Sequence, residues 1–214
     1  MSGQQTTLGR PPSIEAPRET ILARAAELFA RQGYEGTSLQ QVASAVGMTK
    51  AAIYHYFPTK QSVYEAIVVD LLARLDLHVR GAVDATGHDA RLRQMMIGHA
   101  EFFEANYTAF VTVLHGVSGL SRAVGASEKK VRDRYERFVR QVVGEGVEAG
   151  AFEPGDVRTI ARAILSMLNW MSRWYRPGGS QRARDFAEEF FAIAYFGLKP
   201  RPAVAAPATR RRRA

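Results

Sequence analysis

Residues 37–60 read TSLQQVASAVGMTKAAIYHYFPTK, and their punctuation decides the fold. Leu39, Val42, Ala43 and Val46 recur at three- and four-residue steps, the spacing of one helical face. Thr37 and Ser38 stand before them as N-cap candidates, with Gln40 or Gln41 placed to close a capping box. Gly47 ends this short helix at a residue without the steric cost of a Cβ. Thr49 caps a second short run, Lys50 to Tyr56, which Pro58 stops because proline cannot continue a helix interior. Thr59 then opens a longer helix.

The same helical grammar extends in both directions. Upstream, Ile21, Leu22, Ala25, Leu28 and Phe29 mark a helix over about 18–32, and Gly33 fits a left-handed C-cap. Downstream, the helix opened by Thr59 runs to about Val83 with Val63, Ile67, Leu71, Leu72 and Leu75 inward. Further helices are predicted over about 90–105, 107–115, 127–149, 156–175 and 181–197. Their breaks fall at Gly116, Gly119 and Gly125, at Gly150 and Pro154–Gly155, and at Pro177-Gly178-Gly179. No alternating strand pattern and no fixed-period repeat occurs. The predicted fold is all-α: an N-terminal three-helix helix-turn-helix domain over 17–64, then a helical bundle over 65–199, about nine helices in all. Residues 1–16 and 200–214 are expected to be a disordered N-terminal arm and a basic disordered tail.

Composition narrows the class. The 214 residues include 46% hydrophobic side chains, ordinary for a globular chain, and no Cys, so disulfides and thiolate metal sites are excluded. The polar N-terminus lacks the apolar stretch of a signal peptide, and no run reaches the roughly 18 apolar residues of a membrane span. The expectation is a cytoplasmic protein without a membrane partner. The formal net charge is +8, but residues 201–214 hold five Arg and no acid. Bulk charge is therefore less informative than its local distribution. The run Arg210–Arg213 reads as a solvated tail, with non-specific DNA affinity as the alternative. Nucleophile elbow, phosphate-binding glycine loop, H-E-x-x-H and dinucleotide fingerprint are all missing, so no enzyme, no cofactor and no metal site is expected.

Two short helices across a tight turn read DNA when the second fits the major groove. Such a helix needs polar and aromatic groups outward, and Lys50, Tyr54, His55 and Tyr56 supply them while Ile53 and Phe57 point inward. Ala43, Ala45, Ala51 and Ala52 offer small residues for the helix crossing. No Asp or Glu occurs between Glu35 and Glu65, which suits a surface that approaches phosphates. Thr37, Thr49 and Thr59 place three helix starts here, each a natural phosphate site. A three-helix module that binds protein remains the alternative on pattern alone.

Residues 18–64 resemble the DNA-binding domain of the TetR family of bacterial repressors. The resemblance is carried by A-x-E-L-F-A-x-x-G-Y-x-x-T-S (Ala25 to Ser38), by Val42–Ala43 and Ala45–Val46–Gly47, and above all by A-A-I-Y-H-Y-F-P-T-K (Ala51 to Lys60). It implies that Lys50, Ala51, Tyr54 and His55 face the major groove. It also implies that Thr37, Ser38, Thr49, Tyr56 and Lys60 contact phosphate or support such contacts, with Gln40 near the DNA. A homodimer through the last two helices, on a palindromic double-stranded DNA operator, is implied as well, as is a small-molecule effector inside the bundle.

For that effector, Phe102, Phe103, Tyr107, Phe110, Phe138, Met167, Met171 and Trp174 are candidates to line an apolar cavity; the alternative is that most are core. The stretch Asn169-Trp170-Met171-Ser172-Arg173-Trp174-Tyr175-Arg176-Pro177 resembles the end of the penultimate helix in TetR-type regulators of fatty-acid, aromatic-acid and sterol catabolism. That resemblance implies an acyl-CoA thioester as effector. Arg173 and Arg176, with Arg134 and Arg137, are the candidate cations for its phosphates, and Trp170 and Trp174 the flat groups for its adenine. The alternatives are that the Trp residues anchor the dimer and that the effector is a hydrophobic or aromatic drug-like compound controlling an efflux or stress gene. His99 is read as a satisfied core or pocket histidine rather than a metal ligand; Glu101 and Glu104 are expected to face solvent.

Overall fold

The computed structural model describes residues 16–115 and 125–198, and every regular element among them is helical. The expected arms, apart from Ala16, and the breaks at Gly116 and Gly119 lie outside the described residues. The helices are α1 (Pro17–Gln32), α2 (Leu39–Ala45), α3 (Lys50–Tyr56), α4 (Lys60–Ala82), α5 (His88–Ala105), α6 (Tyr107–His115), α7 (Ala126–Glu148), α8 (Val157–Trp174) and α9 (Ala183–Leu198). Their bounds lie within about two residues of the breaks expected from Gly, Pro and the caps. Among the described residues, no helix is long and apolar enough to cross a membrane.

Local chemistry sets the helix ends. Ser38, not Thr37, is the N-cap of α2: its hydroxyl accepts from Gln41 N–H, and the Gln41 side chain accepts from Ser38 N–H at 2.7 Å. Thr49 caps α3 by accepting from Ala52 N–H, and Thr59 caps α4 with Ser62 completing the box. Gly47, at φ +69, makes the turn between α2 and α3, a conformation that L side chains rarely adopt.

The described residues form two cores. Ile21, Ala25, Phe29, Val42, Ala43, Ile53 and Phe57 fill the first, between α1, α2, α3 and the start of α4. The second fills the bundle from Val68 to Ala187. Each fully buried Ile, Leu or Phe contributes roughly 1.5–3 kcal/mol. Helix α4 crosses the boundary expected at 64/65: Val63 and Ile67 belong to the first core, while Val68, Leu71, Leu72, Leu75 and Val79 belong to the second. Tyr64 and Val113 pack against both. Of the four alanines expected at the helix crossing, Ala43 is buried and Ala52 partly so, whereas Ala45 and Ala51 face outward.

Helix α6 is the main bridge between the two units. Its Thr112 hydroxyl is buried and bonds the carbonyl of Ala26 on α1 at 2.9 Å. Tyr64 on α4 donates its phenol to the Val113 carbonyl at 3.3 Å.

Candidate nucleic-acid interface and effector cavity

On the helix-turn-helix, Ser38, Gln40, Thr49, Lys50, Ala51, Tyr54, His55 and Tyr56 are all exposed. They lie on one continuous stretch of α2, the turn and α3, over a core sealed by Ile53 and Phe57. Lys50 Nζ lies 6.0 Å from the Tyr54 ring centre, and the His55 and Tyr56 rings meet edge to face at 5.7 Å. Exposed Ala51 leaves room for close approach of a partner surface.

Two of the expected phosphate residues have other work. Thr37 is only 2% exposed, and its hydroxyl donates to the Gly33 carbonyl at 2.8 Å. Lys60 donates from Nζ to the Tyr34 carbonyl at 2.8 Å, lies 4.2 Å over the Tyr34 ring and pairs with Glu35 at 3.7 Å. Both hold the α1–α2 turn. They still border a shallow cleft of about 370 Å³ that also includes Ser38, Tyr54 and Thr59.

The bundle contains a cavity of about 150 Å³. Leu72 and Leu75 of α4, His99 of α5, Phe110, Val113 and Leu114 of α6, and Leu165 of α8 form most of its wall. Arg132, Tyr135 and Glu136 of α7 and Asn169 of α8 add polar groups. Of the residues expected to line the effector site, Phe110 is the one on this wall. Phe103 is buried in an aromatic cluster with Tyr107, Phe110 and Tyr175, at ring separations of 5.4–5.6 Å. Tyr107 donates its phenol to the Tyr175 carbonyl at 3.2 Å. Met167 is partly buried against the bundle core.

Arg134 and Phe138 sit elsewhere, along an open groove of about 780 Å³ with Arg80, Arg137 and Arg140. Arg134 pairs with Asp76 at 2.9 Å, as does Arg80, whose guanidinium also lies 4.2 Å over the Phe138 ring. Asp76 is a buried carboxylate on the inner stripe of α4, held by these two cations. Trp170, Arg173, Trp174 and Arg176 cluster at the exposed end of α8. Trp170 is 63% exposed beneath Arg173, whereas Trp174 meets Phe186 of α9 edge to face at 4.8 Å. Arg176 donates to the neighbouring Tyr175 carbonyl at 2.9 Å. The four arginines expected to act together thus fall in two groups, two on the α4–α7 groove and two at the end of α8.

Glu101 and Glu104 are not simply solvated. Glu101 pairs with Arg184 at 2.8 Å, and Glu104 accepts from the Tyr175 phenol and pairs with Arg182 at 3.4 Å. Burial, with Glu104 beside it, pushes the Tyr175 phenol up to about 12. His99 is 1% exposed, and its Nδ1 lies 2.8 Å from the Tyr135 hydroxyl. Burial pulls its pKa down to about 4, so the ring is neutral near pH 7. No sequence pattern reveals this pairing, because the two residues lie 36 positions apart on different helices. Among the described residues, no group of three or more His, Cys, Asp or Glu side chains is placed to hold a metal ion.

A helix-turn-helix with an acid-free outer face, joined through α4 and α6 to a bundle that holds a cavity, is the architecture of a DNA-binding regulator. The chain matches the family described as bacterial regulatory proteins, tetR family, over residues 21–67 and a tetracyclin repressor-like C-terminal domain over residues 85–198. It belongs to the TetR family of transcriptional regulators. It is similar to the HTH-type transcriptional repressor KstR2 of Mycobacterium tuberculosis, with 28% identity over 189 residues, 86% of this chain and 94% of that one. The TetR family regulator PfmR from Thermus thermophilus is 40% identical, with a TM-score of 0.76 over 84% of this chain and 99% of that one. A structure of AibR in complex with isovaleryl coenzyme A and operator DNA is 26% identical, with a TM-score of 0.71 over 83% of this chain and 97% of that one.

Proposed function

We propose that this chain is a cytoplasmic repressor that sits as a homodimer on a palindromic operator and is released by an acyl-CoA thioester. The observation that carries the effector part is the double role of α6. Phe110, Val113 and Leu114 form the cavity wall, while Thr112 and Val113 bond α1 and α4. A ligand that reshapes the cavity acts on the helix that seats the DNA-binding unit. Release is then a shift between two arrangements, set by the ligand's differential affinity for them.

In this reading Lys50, Ala51, Tyr54 and His55 meet base edges, while Ser38, Gln40, Thr49 and Tyr56 meet the backbone or support those contacts. Thr37 and Lys60 shape the turn that positions them. The likeness to AibR, described with isovaleryl coenzyme A and operator DNA, supports the effector class. So do the arginines of the α4–α7 groove, which offer guanidinium forks to nucleotide phosphates. The dimer is supported by exposed Trp170 on α8 and Ile193 and Phe196 on α9, apolar side chains left in solvent by a single chain.

An electrophoretic shift with DNA upstream of the chain's own gene tests both parts. A discrete complex that survives moderate salt and is dissolved by one or more acyl-CoAs is expected. A smear abolished by modest salt argues against a specific operator, and a complex that no acyl-CoA dissolves argues against the effector class.

A further inference from the structure

His99 has one ring nitrogen without a partner among the described residues. Its Nε2 is buried and forms no hydrogen bond among the described residues, while Nδ1 meets the Tyr135 hydroxyl at 2.8 Å. The ring lines the 150 Å³ cavity, between Phe110 at 5.9 Å and Tyr135 at 5.7 Å. An unpaired buried polar atom is costly, and on a residue of a cavity wall it is a candidate partner for a ligand atom.

The tautomer follows from the pair. Burial raises the Tyr135 pKa, so the phenol keeps its proton, and His99 Nδ1 is its hydrogen-bond partner among the described residues. With Nδ1 as acceptor, the neutral imidazole carries its own proton on Nε2. The opposite tautomer leaves the buried phenol O–H without that acceptor. The unpartnered group is therefore an N–H donor, on a residue of a wall otherwise built largely from Leu72, Leu75, Phe110 and Leu165. A donor selects an acceptor.

We propose that His99 Nε2–H donates to the thioester carbonyl oxygen of the effector, and that the cavity admits only a short acyl chain. This rests on the acyl-CoA reading above. A cavity of 150 Å³ is the size that takes a benzene-sized group, on the order of six non-hydrogen atoms. Asn169 and Arg132 are polar groups of the same wall, and the thioester's long polar arm is expected to leave past them.

Calorimetric titration of the full chain tests the proposal with acetyl-, butyryl-, isovaleryl-, hexanoyl- and dodecanoyl-CoA. S-butyl-CoA, whose methylene replaces the butyryl carbonyl, completes the series. Butyryl- to hexanoyl-CoA are expected to bind most tightly, and S-butyl-CoA about tenfold more weakly than butyryl-CoA. In His99→Phe the two butyl ligands are expected to bind alike. If that variant fails to fold with Tyr135 left unpaired, the double variant His99→Phe/Tyr135→Phe removes both polar groups; the comparison on the native protein needs neither. Equal binding of butyryl-CoA and S-butyl-CoA by the native protein would overturn the carbonyl contact. Dodecanoyl-CoA binding as tightly as butyryl-CoA would overturn the size limit. Absence of binding by every acyl-CoA would remove the effector class itself, and this inference with it.

Discussion

Thr112 on α6 donates its buried hydroxyl to the carbonyl of Ala26 on α1, 2.9 Å away, and thereby ties a wall of the bundle cavity to the helix-turn-helix unit. The same hydroxyl lies 3.0 Å from the Thr108 carbonyl of its own helix, so without α1 the proton retains a local acceptor. The bond can open at modest cost, which suits a joint between two arrangements. Thr112→Val keeps the shape and deletes the donor. Chemical denaturation should show a loss of about 1 kcal/mol. Operator affinity without effector should stay close to native, while the effector concentration for half-release should shift; an unchanged release curve counts against the joint.

The DNA face separates contact from support. Ala51 is exposed and touches no core, so Ala51→Glu should leave the melting temperature unchanged and abolish the operator complex by placing a charge against phosphate. Lys50→Ala should weaken operator binding by about 1–3 kcal/mol, again without loss of stability. Lys60→Ala should behave differently, because its ammonium bonds the Tyr34 carbonyl and covers the Tyr34 ring. It should lower the melting temperature as well as DNA affinity. Melting curves and fluorescence anisotropy on the three variants distinguish these outcomes.

His99 gives the fold an acid sensitivity of known sign. Its folded pKa of about 4 lies below the ordinary 6.5, so the unfolded chain takes up the proton first as pH falls. The stability His99 contributes is full above about pH 6.5 and is lost as the pH falls toward 4, by roughly 3 kcal/mol. The groups around it are Tyr135, which stays protonated, and Arg132 and Glu136 on the same cavity wall. Asp76, which acts on Tyr135, is held by Arg80 and Arg134. Denaturant melts of native protein and His99→Gln from pH 7.5 to 4 should diverge in slope across that window. Parallel curves would contradict the buried neutral ring.

Ile193 and Phe196 of α9 are 65% and 71% exposed in the single chain. If α8 and α9 make the dimer, the double substitution Ile193→Glu/Phe196→Glu should give a monomer in sedimentation equilibrium. Its helix content should be unchanged, and its operator affinity should fall steeply, since each half-site is then bound alone. A dimer that survives the substitution would move the interface elsewhere.

The amino-acid sequence by itself determined what depends on near neighbours. Ser38, Thr49 and Thr59 cap helices over spans of three residues, Gly47 and Pro58 interrupt them, and apolar steps of three and four mark the buried face of each. The whole DNA-reading unit falls within residues 37–60, so its outline and most of its outward residues were legible. Tertiary structure alone decided which similar residues do different work. Thr37 and Lys60 have the chemistry of phosphate contacts, yet the α1–α2 turn draws both into its own hydrogen bonds. The cavity was not legible for the same reason. The His99–Tyr135 pair spans 36 positions, and the Thr112–Ala26 joint spans 86. Periodicity states that a residue points inward; only the relative rotation of packed helices states what it meets there, and therefore whether it is core, cavity wall or joint.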